Sequence, residues 1–207
     1  MKPSTAQILP PDIVAGVVIA GGRSVRFGGE KAVAELAGKT LLMWAAQRLQ
    51  RSCRAVAVNA RPGTQAASIA AAAGLTVLHD ETGDAAGPLA GIKVGLLWAK
   101  QQGATQLAVS PCDAPLLPDD LFDRLIRTAG SGAAMAETAE GHQPLCSLWP
   151  VAALQSVTDA LAGGAHPATW RLLDSLGAHR VRFQDAMAFA NVNTQQDLAA
   201  VAARYQR

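Results

Sequence analysis

Short unbroken apolar runs alternate along the chain with longer stretches at helical spacing. Ile13 to Ala20, IVAGVVIA, contains no polar residue, as expected of a strand buried on both faces of a parallel sheet. It empties directly into a Gly-rich segment, residues 21 to 29. In Thr40 to Ser52 the residues Leu41, Leu42, Ala45, Ala46 and Leu49 recur at helical spacing after a Gly38 turn, with Thr40 placed as N-cap. The alternation then repeats: strand Ala55 to Asn59, helix Thr64 to Ala73, strand Thr76 to His79, helix Leu89 to Gln101, strand Gln106 to Ser110, helix Pro118 to Ala129. The second half is less regular. It predicts strands near Ala133 to Ala136, Leu145 to Trp149 and Arg180 to Phe183, with helices near Val151 to Leu161, Ala168 to Leu176 and Gln195 to Tyr205. Repeated strand and helix units with right-handed crossovers predict an α/β fold of three layers, a mostly parallel central sheet covered by helices. In such folds ligands bind at the carboxyl ends of the strands.

Residues 1 to 12, polar and Pro-containing, read as a loose leader, and 13–207 as a single domain. The length of 207 residues is about 1.4 times the roughly 150 of one domain. Half of the chain is apolar, but 43 residues are Ala and only 16% are charged, which argues against disorder and against a coiled coil. The net charge is +2 with no basic run, so no nucleic-acid partner is expected. No apolar stretch approaches the roughly 18 residues of a membrane span, and no membrane association is expected. Pro10, Pro11 and Asp12 would break the apolar core of a secretory signal. Cys53, Cys112 and Cys146 are odd in number and lack the spacing of zinc ligands, so they read as reduced thiols in the cytoplasm.

The chemistry concentrates in two segments. AGGRSVRFGGEK, residues 20–31, follows a buried strand and sets four glycines around Arg23, Arg26 and Lys31. Glycine lets backbone N–H groups approach an anion and the cations compensate charge, so this loop suits a di- or triphosphate, with a bland Gly- and Arg-rich turn as the alternative. It matches neither the P-loop nor the dinucleotide fingerprint. In VSPCDAPLLPDDL, residues 109–121, a strand ends at Asp113 between Pro111 and Pro115. A lone carboxylate there can bridge magnesium to phosphates, or it can form an Asx-type turn or N-cap. Asp119 and Asp120 read as first-turn helix residues favoured by the helix dipole. Asn59, His79 and Asp80 also end strands, Gly87 to Gly91 opens a helix, and Asn193 precedes an N-cap at Thr194. Each of these has an ordinary turn or cap role beside a ligand role. The four histidines show no metal-binding spacing and most of them read as surface or structural, and Cys112 reads as structural.

In order and spacing, VVIAGGRSVRFGGEK, VNA at 58–60, GPLAG at 87–91, PCDAPLLP at 111–118, QPL at 143–145 and NVNT at 191–194 resemble the molybdenum cofactor guanylyltransferase family over about residues 13–200. The departures are Phe27 for Met and Glu30 for Asp. The resemblance implies a Rossmann-like nucleotidyltransferase fold. It further implies transfer of GMP from GTP to the terminal phosphate of molybdopterin carrying molybdenum, with Mg2+ as cofactor. By resemblance Ile19, Ala20, Gly21 and Gly22 contact the nucleotide base, Lys31 and Arg26 hold phosphates, Asn59 and Asp80 line the nucleotide pocket, and Asp113 binds magnesium. Asn193 is a further metal-side candidate, and Gly22, alanine in resembling cytidylyltransferases, carries the expected preference for GTP. Other cofactor-biosynthesis proteins and recipient molybdoenzymes are the implied protein partners. The rival readings are a cytidylyltransferase on the same pterin or another phosphorylated acceptor, and a non-catalytic nucleotide-binding protein.

Overall fold

The computed structural model describes residues 13–22, 27–81, 83, 87–162 and 167–205. The leader read at 1–12 lies outside them, as does Arg26. The strands are β1 (Val14–Ile19), β2 (Glu35–Leu36), β3 (Lys39–Thr40), β4 (Ala55–Asn59), β5 (Thr76–Leu78), β6 (Gln106–Pro111), β7 (Ala134–Thr138), β8 (Gly141–Pro150) and β9 (His179–Arg182). The helices are α1 (Leu41–Gln50), α2 (Gln65–Ala72), α3 (Pro88–Gln101), α4 (Leu121–Ala129), α5 (Leu154–Ala162), α6 (Thr169–Ser175) and α7 (Gln195–Tyr205). Seven strands form one sheet in the order β5-β4-β1-β6-β8-β7-β9. β1, β4, β5 and β6 pair in parallel, and only β8 runs against its neighbours.

β1 shows why an unbroken apolar run is needed. Val14 and Val18 pack with α1, α2 and α4 through Leu42, Leu49, Ala66, Ala70 and Leu125. Ala15 and Val17 pack on the opposite face with α3, α5 and α6 through Ile92, Leu96, Val157 and Leu173. Successive strand side chains alternate between faces, so a strand covered by helices on both sides has no position left for a polar residue. The expected three layers follow. Truncating one of the fully buried leucines, such as Leu42, is expected to cost about 2–5 kcal/mol.

Three details differ from the sequence expectation. β2 and β3 form a short hairpin, unread in the sequence, whose two-residue turn places Ala37 and Gly38 at φ of 50° and 74°, as a twisted hairpin demands. α4 begins at Leu121, so Asp119 and Asp120 precede it rather than filling its first turn. Asp119 instead pairs with Arg51 at 2.6 Å and lies 3.8 Å from Arg48, where burial pushes the Arg48 guanidinium below its ordinary pKa and a nearby carboxylate offsets that. β8 starts four residues earlier than expected, because its pairing with β7 shifts between Met135↔Ser147 and Ala136↔Gln143. Pro144, Leu145 and Cys146 fall outside the ladder there. A proline without an N–H is tolerated at such a bulge, which also re-aims the side chains around it.

Candidate active site

The chain leaves β1 toward β4 and β5 on one side, then returns to β6 on the other. This reversal opens a crevice at the carboxyl ends of β1, β4 and β6, the place where an open parallel sheet binds ligands. A cavity of about 460 Å³ fills it. Ile19, Ala20, Gly21, Gly22, Lys31, Asn59, Asp80 and Asp113 all line it. The described structure therefore brings together every site residue read from the sequence except Arg26, which lies outside the described residues, and Asn193, which reaches the site through Lys31.

On the β4 side, Asn59 is 2% exposed and donates from Nδ2 to Asp80 Oδ1 at 2.8 Å. The backbone N–H of Ala20 donates to the Asn59 carbonyl at 2.8 Å, locking the start of the Gly-rich loop to the end of β4. α3 enters this corner through Gly91, where a Cβ would stand 2.4 Å from Asn59 Oδ1. The second glycine cluster is thus more than a helix start. Its Gly91 lets a helix N-terminus close on a buried amide.

On the β6 side, Lys31 Nζ donates to Asp113 Oδ2 at 2.5 Å and to Asn193 Oδ1 at 3.1 Å. Both carboxylate and lysine are largely buried, with side-chain exposures of 19% and 14%. The Val192 N–H donates to the Asp113 carbonyl at 2.8 Å, so the segment before α7 is tied to the end of β6. The Thr194 hydroxyl accepts from the Asp197 N–H at 3.1 Å, while Asp197 Oδ2 accepts from the N–H groups of Asn193 and Thr194 at 2.9 Å each. This reciprocal cap fixes the backbone of Asn193, and those N–H donors hold the Asp197 carboxyl below its ordinary pKa. Thr194 is the expected N-cap, and Asn193 is held next to Lys31.

Glu30, seen in the sequence only as a departure from Asp, has a distinct job. Its two carboxylate oxygens accept from the N–H groups of Gln65 and Ala66 at 3.0 Å each. A negative charge on the first turn of α2 is favourable, and it anchors the chain immediately before Lys31.

Among the described residues no three His, Cys, Asp or Glu side chains gather as a metal cage. The oxygens of Asp113 and Asn193 do converge on one point, now spanned by the Lys31 ammonium. Two hard oxygen donors at the edge of this cavity fit magnesium, which usually keeps several waters and binds through one or two carboxylates. Cys112, also on the wall, has its thiol pushed up to about 12 by burial, with Asp113 adding to the shift, so it is no nucleophile at neutral pH. Pro88 and Leu145, from the GPLAG and QPL segments, also line the cavity, and so does Arg61, which was not singled out in the sequence. A cation two residues beyond a strand end was the available signal for Arg61. Of the histidines, His79 Nδ1 lies 2.7 Å from the Ala60 carbonyl oxygen, a structural role. His142 lines a second cavity that shares Asp113 with the first.

The family described as MobA-like NTP transferase domain matches residues 16–181. A molybdenum cofactor guanylyltransferase of Cereibacter sphaeroides (strain ATCC 17029 / ATH 2.4.9) is 38% identical over 185 residues, covering 89% of this chain and 93% of that protein. One from Cupriavidus taiwanensis is 36% identical over 203 residues, covering 93% and 98%. In fold, the chain is similar to molybdopterin-guanine dinucleotide biosynthesis protein A of Archaeoglobus fulgidus, with a TM-score of 0.72, 19% identity and coverage of 93% and 98%. It is also similar to a CMP:2-keto-3-deoxy-manno-octonic acid synthetase complexed with CTP, with a TM-score of 0.76, 12% identity and coverage of 94% and 99%. The resemblance drawn from six short segments thus extends over nearly the whole chain, and the chain belongs to the MobA-like NTP transferase family.

Proposed function

We propose that this chain is a molybdenum cofactor guanylyltransferase, transferring GMP from GTP to the terminal phosphate of molybdopterin carrying molybdenum and releasing pyrophosphate. The observation that carries the chemistry is the polarity of the main cavity. An amide–carboxylate pair, Asn59 and Asp80, stands beyond β1 on one side, and Lys31 with Asp113 stands on the other. β4 and β6 lie two strand spacings apart, about 10 Å, a span suited to a nucleoside with its phosphates. The Asp80 carboxylate suits the donor-bearing edge of guanine, with Asn59 holding it in place. The open backbone of Ile19 to Gly22 lies between the two ends.

The acceptor phosphate is a monoester, largely ionised at neutral pH because its second pKa is about 6. One of its oxygens forms a bond to the α-phosphorus of GTP as the bond to the β-phosphate oxygen breaks, and pyrophosphate leaves with that electron pair. No proton has to be removed from the nucleophile, which agrees with the described lining residues of the cavity, among which there is no Ser–His pair. The protein's task is to neutralise and align. Lys31 faces the phosphates and offsets charge on the leaving group, and Arg26 is assigned the same role from the Gly-rich loop. Asp113 and Asn193 would hold magnesium, which supplies charge neutralisation between the reacting phosphates. We place the reaction in the cytoplasm, where the three free thiols remain reduced, and no helix among the described residues is long and apolar enough to cross a membrane.

The test is product identity. With magnesium and molybdenum-loaded molybdopterin, the protein supplied with each of the four NTPs in turn should form the dinucleotide from GTP. Preferential use of CTP would overturn the guanylyl assignment, and no dinucleotide from any NTP would overturn transfer itself.

A further inference from the structure

A second cavity, of about 280 Å³, is lined by the bulge residues Pro144, Leu145 and Cys146 of β8 and lies beside the first. The two share Pro111, Asp113 and Leu145, so they meet at the Asp113 carboxylate. A group seated in the second cavity can therefore present a phosphate to a nucleotide seated in the first. Its walls combine two rings, His142 and Phe189, with two carboxamides, Gln143 and Asn191. Carboxamides carry donors and an acceptor side by side, matching the amide-like edge of a planar heterocycle, and rings accept such a plane by offset stacking.

His142 is held more firmly than a surface histidine. It is the cross-strand partner of Glu137 in the β7–β8 ladder, with Nδ1 at 3.3 Å from Oε1 but without the alignment of a hydrogen bond. Glu137 is held in turn by Arg180 at 3.4 Å and Arg182 at 3.2 Å. Behind the imidazole lies Trp170, with ring centroids 5.7 Å apart and planes tilted by 39°. The ring keeps a side-chain exposure of 28% and borders the cavity. Cross-strand pairing, a carboxylate and an aromatic backing thus fix one ring at the acceptor side of Asp113.

We propose that His142 is a specificity-determining residue for the acceptor, its ring forming a wall against which the pterin lies. This rests on the reading of the acceptor as a pterin phosphate. Equilibrium dialysis of metal-free molybdopterin, without oxygen, against the unmodified protein, His142→Ala and His142→Phe tests it. The unmodified protein binds the pterin, His142→Ala weakens that binding about tenfold, the size of one stacking contact, and His142→Phe restores it. GTP affinity and the thermal midpoint stay the same in all three. Undiminished pterin binding by His142→Ala overturns the proposal, as does a parallel loss of GTP affinity, a Phe variant as weak as the Ala variant, or no pterin binding by the unmodified protein. Because the readout is binding of the pterin alone, it decides the role of His142 whichever nucleotide is the donor. A failure of guanylyl transfer shows separately, in the comparison of the four NTPs.

Discussion

Replacing Gly91 by alanine puts one methyl group where the β4 corner of the cavity has no room for it. The added Cβ would stand 2.4 Å from Asn59 Oδ1, 2.8 Å from Asn59 Cγ and 3.0 Å from Ile19 Cδ1, against the roughly 3.5 Å of an unstrained contact. Asn59 has to move by about 1 Å to relieve this. It is buried, and its amide spans Asp80 at 2.8 Å and the Leu78 carbonyl at 3.5 Å, so the shift sacrifices the Asp80 bond. Overpacking costs about 1–3 kcal/mol, and a lost hydrogen bond to a charged group about 1.5–3 kcal/mol. The helix gains up to about 1 kcal/mol from Gly→Ala. A net loss of about 1.5–5 kcal/mol, at 2–4 °C for each in a chain of this size, lowers the thermal midpoint by roughly 3–20 °C. More telling is the function, because Asn59 and Asp80 are the residues proposed to hold the base: the KM for GTP should rise about tenfold or more. Gly95→Ala, one turn along the same helix, is the control. Its Cβ would meet only side-chain carbons, Leu107 Cδ2 at 3.0 Å and Val17 Cγ1 at 3.1 Å, so it should lose some stability and leave the KM for GTP alone. Calorimetry and steady-state kinetics of both variants decide the matter. Gly91→Ala with an unchanged KM for GTP would show that Asn59 does not position the base.

Asp113→Asn should abolish turnover while GTP binding without magnesium survives; substantial remaining magnesium-dependent activity would place the metal ligand elsewhere. Lys31→Met should lower kcat by about 10²–10³-fold with little change in thermal midpoint, and a midpoint that collapses along with activity would make Lys31 structural. Among the described residues, alanine at Gly21 or Gly22 meets no close contact, the nearest atom being Asn59 Oδ1 at 3.5 Å from a Cβ at position 21. Both variants should therefore fold normally while the ratio of GTP to CTP use falls in the one whose methyl faces the base, and a ratio unchanged in both removes these glycines from base selection. Glu30→Ala deprives the start of α2 of a charged acceptor and should cost about 0.5–2 kcal/mol, with a higher KM for GTP because the chain before Lys31 loses its anchor; normal kinetics despite lost stability would confine Glu30 to capping.

The strands that hold the site were legible because burial on both faces leaves a simple mark. β1, β4, β5 and β6 are short apolar runs, and their ends fall at or within one residue of the expected ones. Strand ends in turn pointed to Asn59, Asp80 and Asp113, since a parallel sheet delivers all its carboxyl ends to one edge. β8 was harder. Its first half carries His142, Gln143 and Pro144, which break the apolar pattern, and its pairing depends on a bulge that only the partner strand defines. The late start of α4 has the same origin: Pro118 and two aspartates look like a helix beginning, but Asp119 answers Arg51 and Arg48, 68 and 71 residues earlier in the chain.

Supporting residues are hidden for a further reason, which also bears on how the site works. Lys31 is visible as a cation behind glycines, whereas the carboxylate that steadies it from the chain side, Glu30, acts on backbone N–H groups 35 and 36 residues away. Asn59 is visible as a polar strand end, whereas the space it occupies is created by a glycine on another element. Asp113 is visible between prolines, whereas Asn193 reaches it only because the Val192 N–H binds the Asp113 carbonyl and Asp197 caps the turn that follows. A reaction that needs no strong base depends on holding two phosphates in line, and a misplacement of about 1 Å can cost a hundredfold. The groups proposed to face the phosphates have simple chemistry and can be named from their type. The accuracy of their placement rests on long-range backbone contacts, in which the identity of the residue matters less than where the fold has brought it.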